Sequence, residues 1–166
     1  MSWKLAWFVT YLLVLACLPH SMAGDDEPTL QLRITQPSAL VFNLNTPAAG
    51  QVYPPTAFPA FYTPTSPSTT SAQRVNLEIT VSGSGTIKWR VLVSGLPFAP
   101  DFPVDRLEYV MSGSNTYVRL SSSQQLFTSG SQKGTIRRRH NYRLRLEGNE
   151  PPGSFQTTVT YTLVSP

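Results

Sequence analysis

Arginine is the residue type this sequence concentrates. Between Glu108 and Glu147 there is no carboxylate, while Arg119, Lys133, Arg137, Arg138, Arg139, Arg143 and Arg145 supply seven positive charges in a chain whose net charge is +4. If residues 137–145 form one strand, Arg137, Arg139, Arg143 and Arg145 share a face at about 7 Å per two residues. Such a stripe attracts polyanions, because guanidinium groups hold phosphate or carboxylate by paired hydrogen bonds. The candidate polyanion-binding set is therefore Arg137, Arg138, Arg139, Arg143, Arg145 and Lys133. The competing reading is a solvated strand face that discourages edge-to-edge pairing.

Other chemistry is sparse. Past residue 23 the chain holds one histidine, His140, directly after Arg137-Arg138-Arg139. Nucleophilic catalysis needs a base oriented against Ser, Thr or Cys, and no third group stands near His140 in the sequence to orient it. A surface histidine is expected. Zinc and redox-metal sites need clustered His and Cys, which the sequence does not offer. Asp101, Asp105 and Glu108 gather in one stretch, but without the alternating oxygens and glycine of a calcium loop. They read as solvated loop charges. No enzyme and no cofactor are expected.

These groups must be positioned by strands. Beyond residue 29 no stretch repeats apolar residues at three and four, and alternation is everywhere instead. Val75, Leu77, Ile79 and Val81 interleave with Asn76, Glu78 and Thr80. The same rhythm runs through Leu30–Ile34, Leu40–Leu44, Ile87–Val93, Leu107–Met111, Tyr142–Leu146 and Phe155–Leu163, with shorter segments near Tyr117–Leu120 and Gln125–Phe127. Turn residues separate them, as in Ser82-Gly83-Ser84-Gly85 and Ser112-Gly113-Ser114-Asn115. Each strand has one apolar face to cover, so the expected fold is all-β, a two-sheet antiparallel Ig-like sandwich, with a closed barrel second. Trp89 shares the parity of Ile87, Val91 and Val93 and belongs in the core.

The length of 166 residues fits one domain. With 40% hydrophobic and 13% charged residues, neither a multi-span membrane protein nor a disordered chain fits. Lys4, the apolar run Leu5–Leu18 and Ser21-Met22-Ala23 have the order of a secretory signal over residues 1–23, leaving 24–166 as a single domain. A rival reading takes Leu13–Cys17 as a lipobox, in which case Cys17 is lipidated and the domain is held at a membrane. Either way no disulfide forms within the domain, since Cys17 is the only cysteine. Residues 46–73 carry six prolines and no charge, which reads as an extended loop or linker rather than a strand. Its aromatics, Tyr53, Phe58, Phe61 and Tyr62, point to docking on the domain or on a partner. Residues Thr29 to Leu44 would then be a two-strand piece joined loosely to the rest.

Trp89-Arg90-Val91-Leu92-Val93 and the terminal segment Ser154–Pro166 resemble the WxL-type surface domains of Gram-positive bacteria. Trp89 with Val91 stands where that family has its central Trp-x-Leu, and Tyr161 with Leu163 where it has the terminal one; Val91 and Tyr161 differ from the family residues. The resemblance implies a β-sandwich displayed at the cell wall, with peptidoglycan or a companion surface protein as partner. The last strand is also similar to those of pilin-like and spore-coat-like domains, where a strand completes a neighbour's sheet. The expected function is thus an exported, non-catalytic cell-surface binding or structural protein contacting anionic wall polymer, not nucleic acid. The alternative is a subunit of a surface filament or coat, a homo-oligomer formed by strand exchange.

Overall fold

The computed structural model describes residues 28–35, 40–47, 50–64, 74–99 and 102–166. The signal-like segment with Cys17, Asp101 and the Ser/Thr-rich tail of the proline segment at 65–73 lie outside the described residues.

Among the described residues eleven antiparallel strands form in chain order: β1 (Thr29–Thr35), β2 (Leu40–Asn43), β3 (Ala60–Tyr62), β4 (Arg74–Ser82), β5 (Trp89–Gly95), β6 (Leu107–Met111), β7 (Val118–Arg119), β8 (Gln125–Gly130), β9 (Gly134–Leu146), β10 (Ser154–Thr157) and β11 (Val159–Val164). A 3-10 turn, Val104–Arg106, leads into β6. Every pairing is antiparallel, so the expected all-β class holds.

The first sheet runs β1-β4-β9-β6-β7. Its spine is β9, whose 13 residues pair with β4 over Gly134–Asn141 and with β6 over His140–Leu144. Leu144 is matched with Leu107 on one side and Tyr62 on the other, which places β3 beside the C-terminal end of β9, on the edge that β4 occupies further back. The second layer combines two short ladders. β2 pairs with β10, and β11 pairs with β5, which pairs with β8. They are continuous because β10 and β11 are separated only by Thr158, whose carbonyl accepts from the Leu96 amide, while Ala99 bridges Gln156.

Period two decides which side chains meet. Val75, Leu77, Ile79 and Val81 of β4, Tyr142, Leu144 and Leu146 of β9, Trp89, Val91 and Val93 of β5, and Phe155, Val159 and Tyr161 at the C-terminus all enter one buried cluster. Tyr109 of β6 lies 5.3 Å from Phe127 of β8, ring centroid to centroid, so the inward faces of the two sheets are in contact.

Two sequence expectations are corrected here. Thr29–Leu44 is not a loose appendage: β1 pairs with β4 from Thr29 to Thr35, and β2 pairs with β10 from Leu40 to Asn43. Alternation in β1 and β2 supplied faces for both layers, so each strand found a place in a different sheet. The proline segment is not strand-free either. Proline bars the ladder only where its own nitrogen is needed, and Ala60–Tyr62, between Pro59 and Pro64, forms β3. Tyr62 turns inward and donates its hydroxyl hydrogen bond to the Val52 carbonyl, while Tyr53 donates to the Glu150 carbonyl at 2.8 Å. Burial pushes the Tyr62 hydroxyl above its ordinary titration range. The described part of the segment is thus stitched to its own domain.

Candidate polyanion-binding face

The site is the outward face of the first sheet, and β9 builds it. Strand parity sends Arg138, His140, Tyr142 and Leu144 toward the core and Arg137, Arg139, Arg143 and Arg145 away from it. The stripe expected from sequence therefore exists as a shared face, but its members differ in what they touch.

Arg143 is committed to the fold. Its Nε donates to Glu108 Oε2 at 2.7 Å and its Nη2 lies 2.7 Å from the same oxygen. Its guanidinium carbon sits 3.7 Å from the Phe61 ring centroid and 3.2 Å from that of Tyr117. An arginine held between two rings by a carboxylate is positioned by ion pairing and cation-π attraction together. This arrangement ties β3, β9, β6 and the approach to β7 into one row. Arg145 is 3.5 Å from Glu147, and Arg119 is 3.9 Å from Glu108.

Glu108 corrects the reading of solvated loop carboxylates. It stands on β6 with only 6% of its surface exposed, paired in register with Arg143 and Arg119 of the adjacent strands. Alternation should have marked it, since Glu108 sits between the inward residues Leu107 and Tyr109. Truncation to alanine leaves Arg143 without its carboxylate inside a tight aromatic slot. Glu108→Ala is expected to cost about 2–4 kcal/mol, measured by urea unfolding, with Asp105→Ala at an exposed position close to neutral.

Arg138 and Lys133 do not join the stripe. Arg138 faces the other layer and its Nε donates to Thr128 Oγ1 at 3.5 Å, while Lys133 lies in the β8–β9 turn and its Nζ donates to the Gly83 carbonyl at 2.6 Å. What remains open lies at the N-terminal half of β9. Across the strands the register runs Arg33, Glu78, Arg137, with Asn76 and Arg139 two residues along. Arg33 on β1 was missing from the sequence-derived set, because only the pairing of β1 with β4 brings it to this face.

Glu78 accepts from Arg137 Nε at 2.9 Å, with the arginine side chain 70% exposed. Among the described residues no carboxylate lies in ion-pair range of Arg33 or Arg139. A shallow open depression of about 370 Å³ is walled by Arg33, Asn76, Glu78, Arg137 and Arg139. It shares Arg137 and Arg139 with a second depression reaching Met111 and Ser112, and Arg33 and Glu78 with a third along β1. The first and third lie side by side on the outward face and form a trough crossing β1, β4 and β9.

No family model, no curated protein and no solved structure matches this chain. The residues that carry the WxL-like resemblance are, in this fold, packing residues: Trp89, Val91 and Tyr161 are buried and Leu163 is partly buried against the core.

The histidine also requires correction. His140 is 1% exposed, not on the surface. It is on the inward parity of β9, where Nε2 shares a hydrogen bond with the Tyr161 hydroxyl, which is itself hydrogen-bonded to the Tyr142 hydroxyl. Burial lowers the His140 pKa from 6.5 to about 3 and raises those of Tyr142 and Tyr161. This neutral cluster crosses from the first sheet to the last strand and belongs to the core. Sequence reasoning missed it because three arginines beside a histidine suggest a surface, whereas strand parity gives alternate residues opposite fates.

Proposed function

We propose that this chain is an exported, non-catalytic binding module of a bacterial surface whose first-sheet face contacts an anionic wall polymer. The observation that carries the reading is the convergence of Arg33, Arg137 and Arg139 from two strands onto one open trough, with Glu78 as the single carboxylate among its walls in the described residues. An open trough suits an extended chain. Charge attraction there is strong at low salt and screened within about 10 Å at 0.1 M ionic strength. The signal-like start supports export, and the resemblance of Trp89, Val91, Tyr161 and Leu163 to the WxL-type signature supports display at a cell wall.

Subunit assembly by strand exchange is the second reading. The pairing of β1 and β2 within their own chain supports the self-contained module over a donated N-terminal strand.

The test is cosedimentation with purified Gram-positive cell walls. Replacing Arg33, Arg137 and Arg139 together by serine is expected to lower binding at 50 mM salt at least tenfold with little change in thermal midpoint, as these side chains face water. Wild-type binding is expected to fall steeply by 300 mM. Binding by the triple variant equal to wild type rejects the reading.

A further inference from the structure

We propose that Glu78 is a built-in competitor for the trough, so that the site selects phosphate- or sulfate-bearing chains over carboxylate chains. This inference rests on the polyanion reading above and specifies its ligand class.

The geometry is a carboxylate set between cations. On the outer face Glu78 has Arg33 as its register partner on one side and Arg137 on the other, and the Glu78–Arg137 hydrogen bond of 2.9 Å is already made without ligand. Both groups remain accessible, with side-chain exposures of 33% and 70%. The pair is therefore exchangeable, unlike Arg143–Glu108, where the carboxylate is 8% exposed and aromatic rings cover the guanidinium.

An incoming carboxylate offers Arg137 the same kind of bond that Glu78 supplies at the high effective concentration of an intramolecular partner. It gains nothing at Arg137 and loses freedom on binding. A sulfate ester or phosphomonoester with its three non-bridging oxygens, or a pair of adjacent polyphosphate units with four, outnumbers the two oxygens of a carboxylate. It can take Arg137 with one pair while another oxygen reaches Arg139, which follows on the same face about 7 Å along β9. Displacing Glu78 then converts one guanidinium contact into two and brings the freed carboxylate toward Arg33, the neighbouring cation across the ladder. The wall residue Asn76, opposite Arg139, adds an uncharged donor to the same depression.

The experiment compares inorganic polyphosphate, dextran sulfate and poly-glutamate of matched length by calorimetric titration at 50 mM salt, with wild type and Glu78→Gln. Wild type is expected to bind polyphosphate and dextran sulfate at least tenfold more tightly than poly-glutamate. Glu78→Gln, at an outward position, is expected to keep its thermal midpoint, bind all three more tightly, and gain most for poly-glutamate, so that the preference contracts at least threefold. An unchanged preference in Glu78→Gln, or equal wild-type affinity for the three polymers, overturns the competitor role while leaving the polyanion surface standing. Failure of wild type to bind any of the three overturns the surface itself. Glu78→Asp, which keeps the charge on a shorter arm, separates competition from general electrostatics: it is expected to fall between wild type and Glu78→Gln for poly-glutamate, and a value identical to wild type counts against a specific Glu78–Arg137 exchange.

Discussion

Acidification from pH 7 to pH 4 is expected to remove about 3 kcal/mol of folding stability through His140 alone. In the folded state burial holds its pKa at about 3, against 6.5 when solvated. Between those values the unfolded chain binds a proton that the folded chain refuses, so stability rises with pH. The contribution is fully present above about pH 6.5 and is lost at about 1.4 kcal/mol per unit as the pH falls toward 3. Small domains have only about 5–15 kcal/mol in total, so the loss is large. Ordinary carboxylates titrate near pH 4. A slope measured between pH 6.5 and 5 therefore reports the histidine. Guanidinium unfolding at pH 7, 6 and 5 checks it. His140→Asn is expected to be less stable at pH 7, because Tyr142 and Tyr161 lose part of their network, and to show a flat profile over the same range. A wild-type midpoint that does not move between pH 7 and 5 contradicts the buried, neutral histidine.

The second large effect is at Trp89. Its indole is 1% exposed and its Nε1 donates to the Gln132 carbonyl at 3.2 Å, so one side chain fills the core and anchors the β8–β9 turn. Trp89→Ala is expected to cost about 3–5 kcal/mol, the range for emptying a large aromatic site. The opposing position is equally constrained. Gly130 pairs with Trp89 across the ladder, and a Cβ there would lie 2.5 Å from Trp89 Cζ2 and 2.5 Å from the Gln132 side-chain oxygen. The indole is rigid and packed, so Gly130→Ala is expected to cost about 1–3 kcal/mol by overpacking. Trp89→Phe removes that clash, and the double variant Trp89→Phe/Gly130→Ala is expected to lose less than the two single costs combined. Chemical unfolding of the four proteins measures the coupling. Additive losses would contradict direct packing of this pair.

Period-two reading was informative wherever a strand is covered on one face. Val75–Val81, Tyr142–Leu146 and Phe155–Leu163 show their inward residues plainly, and the same parity puts Arg143 and Arg145 outside while Tyr142 and Leu144 are inside. It fell short where local composition and tertiary placement pull apart. His140 looks polar among arginines yet sits on the inward parity. Glu108 looks like a loop charge, yet two arginines from neighbouring strands make a strand position tolerable for it. Ala60–Tyr62 is hidden by flanking prolines, because a three-residue strand is held by β9 rather than by its own propensity. The site was half legible for a related reason. Charge runs along β9 are visible in one dimension, whereas Arg33 joins them only across two ladders, and Arg138 leaves them by facing inward. No sequence pattern states which arginine will be capped by a carboxylate and rings, as Arg143 is, and which will stay open, as Arg139 does.

The face itself can be located directly by nuclear magnetic resonance, titrating the isotopically labelled protein with inorganic polyphosphate at 50 mM salt. Amide and guanidinium shifts are expected to move at Arg33, Asn76, Glu78, Arg137 and Arg139, and to remain still at Arg90, Leu92 and Thr160 on the opposite layer. Shifts confined to that opposite layer, or none at all at saturating polymer, would contradict the assignment of binding to the arginine trough.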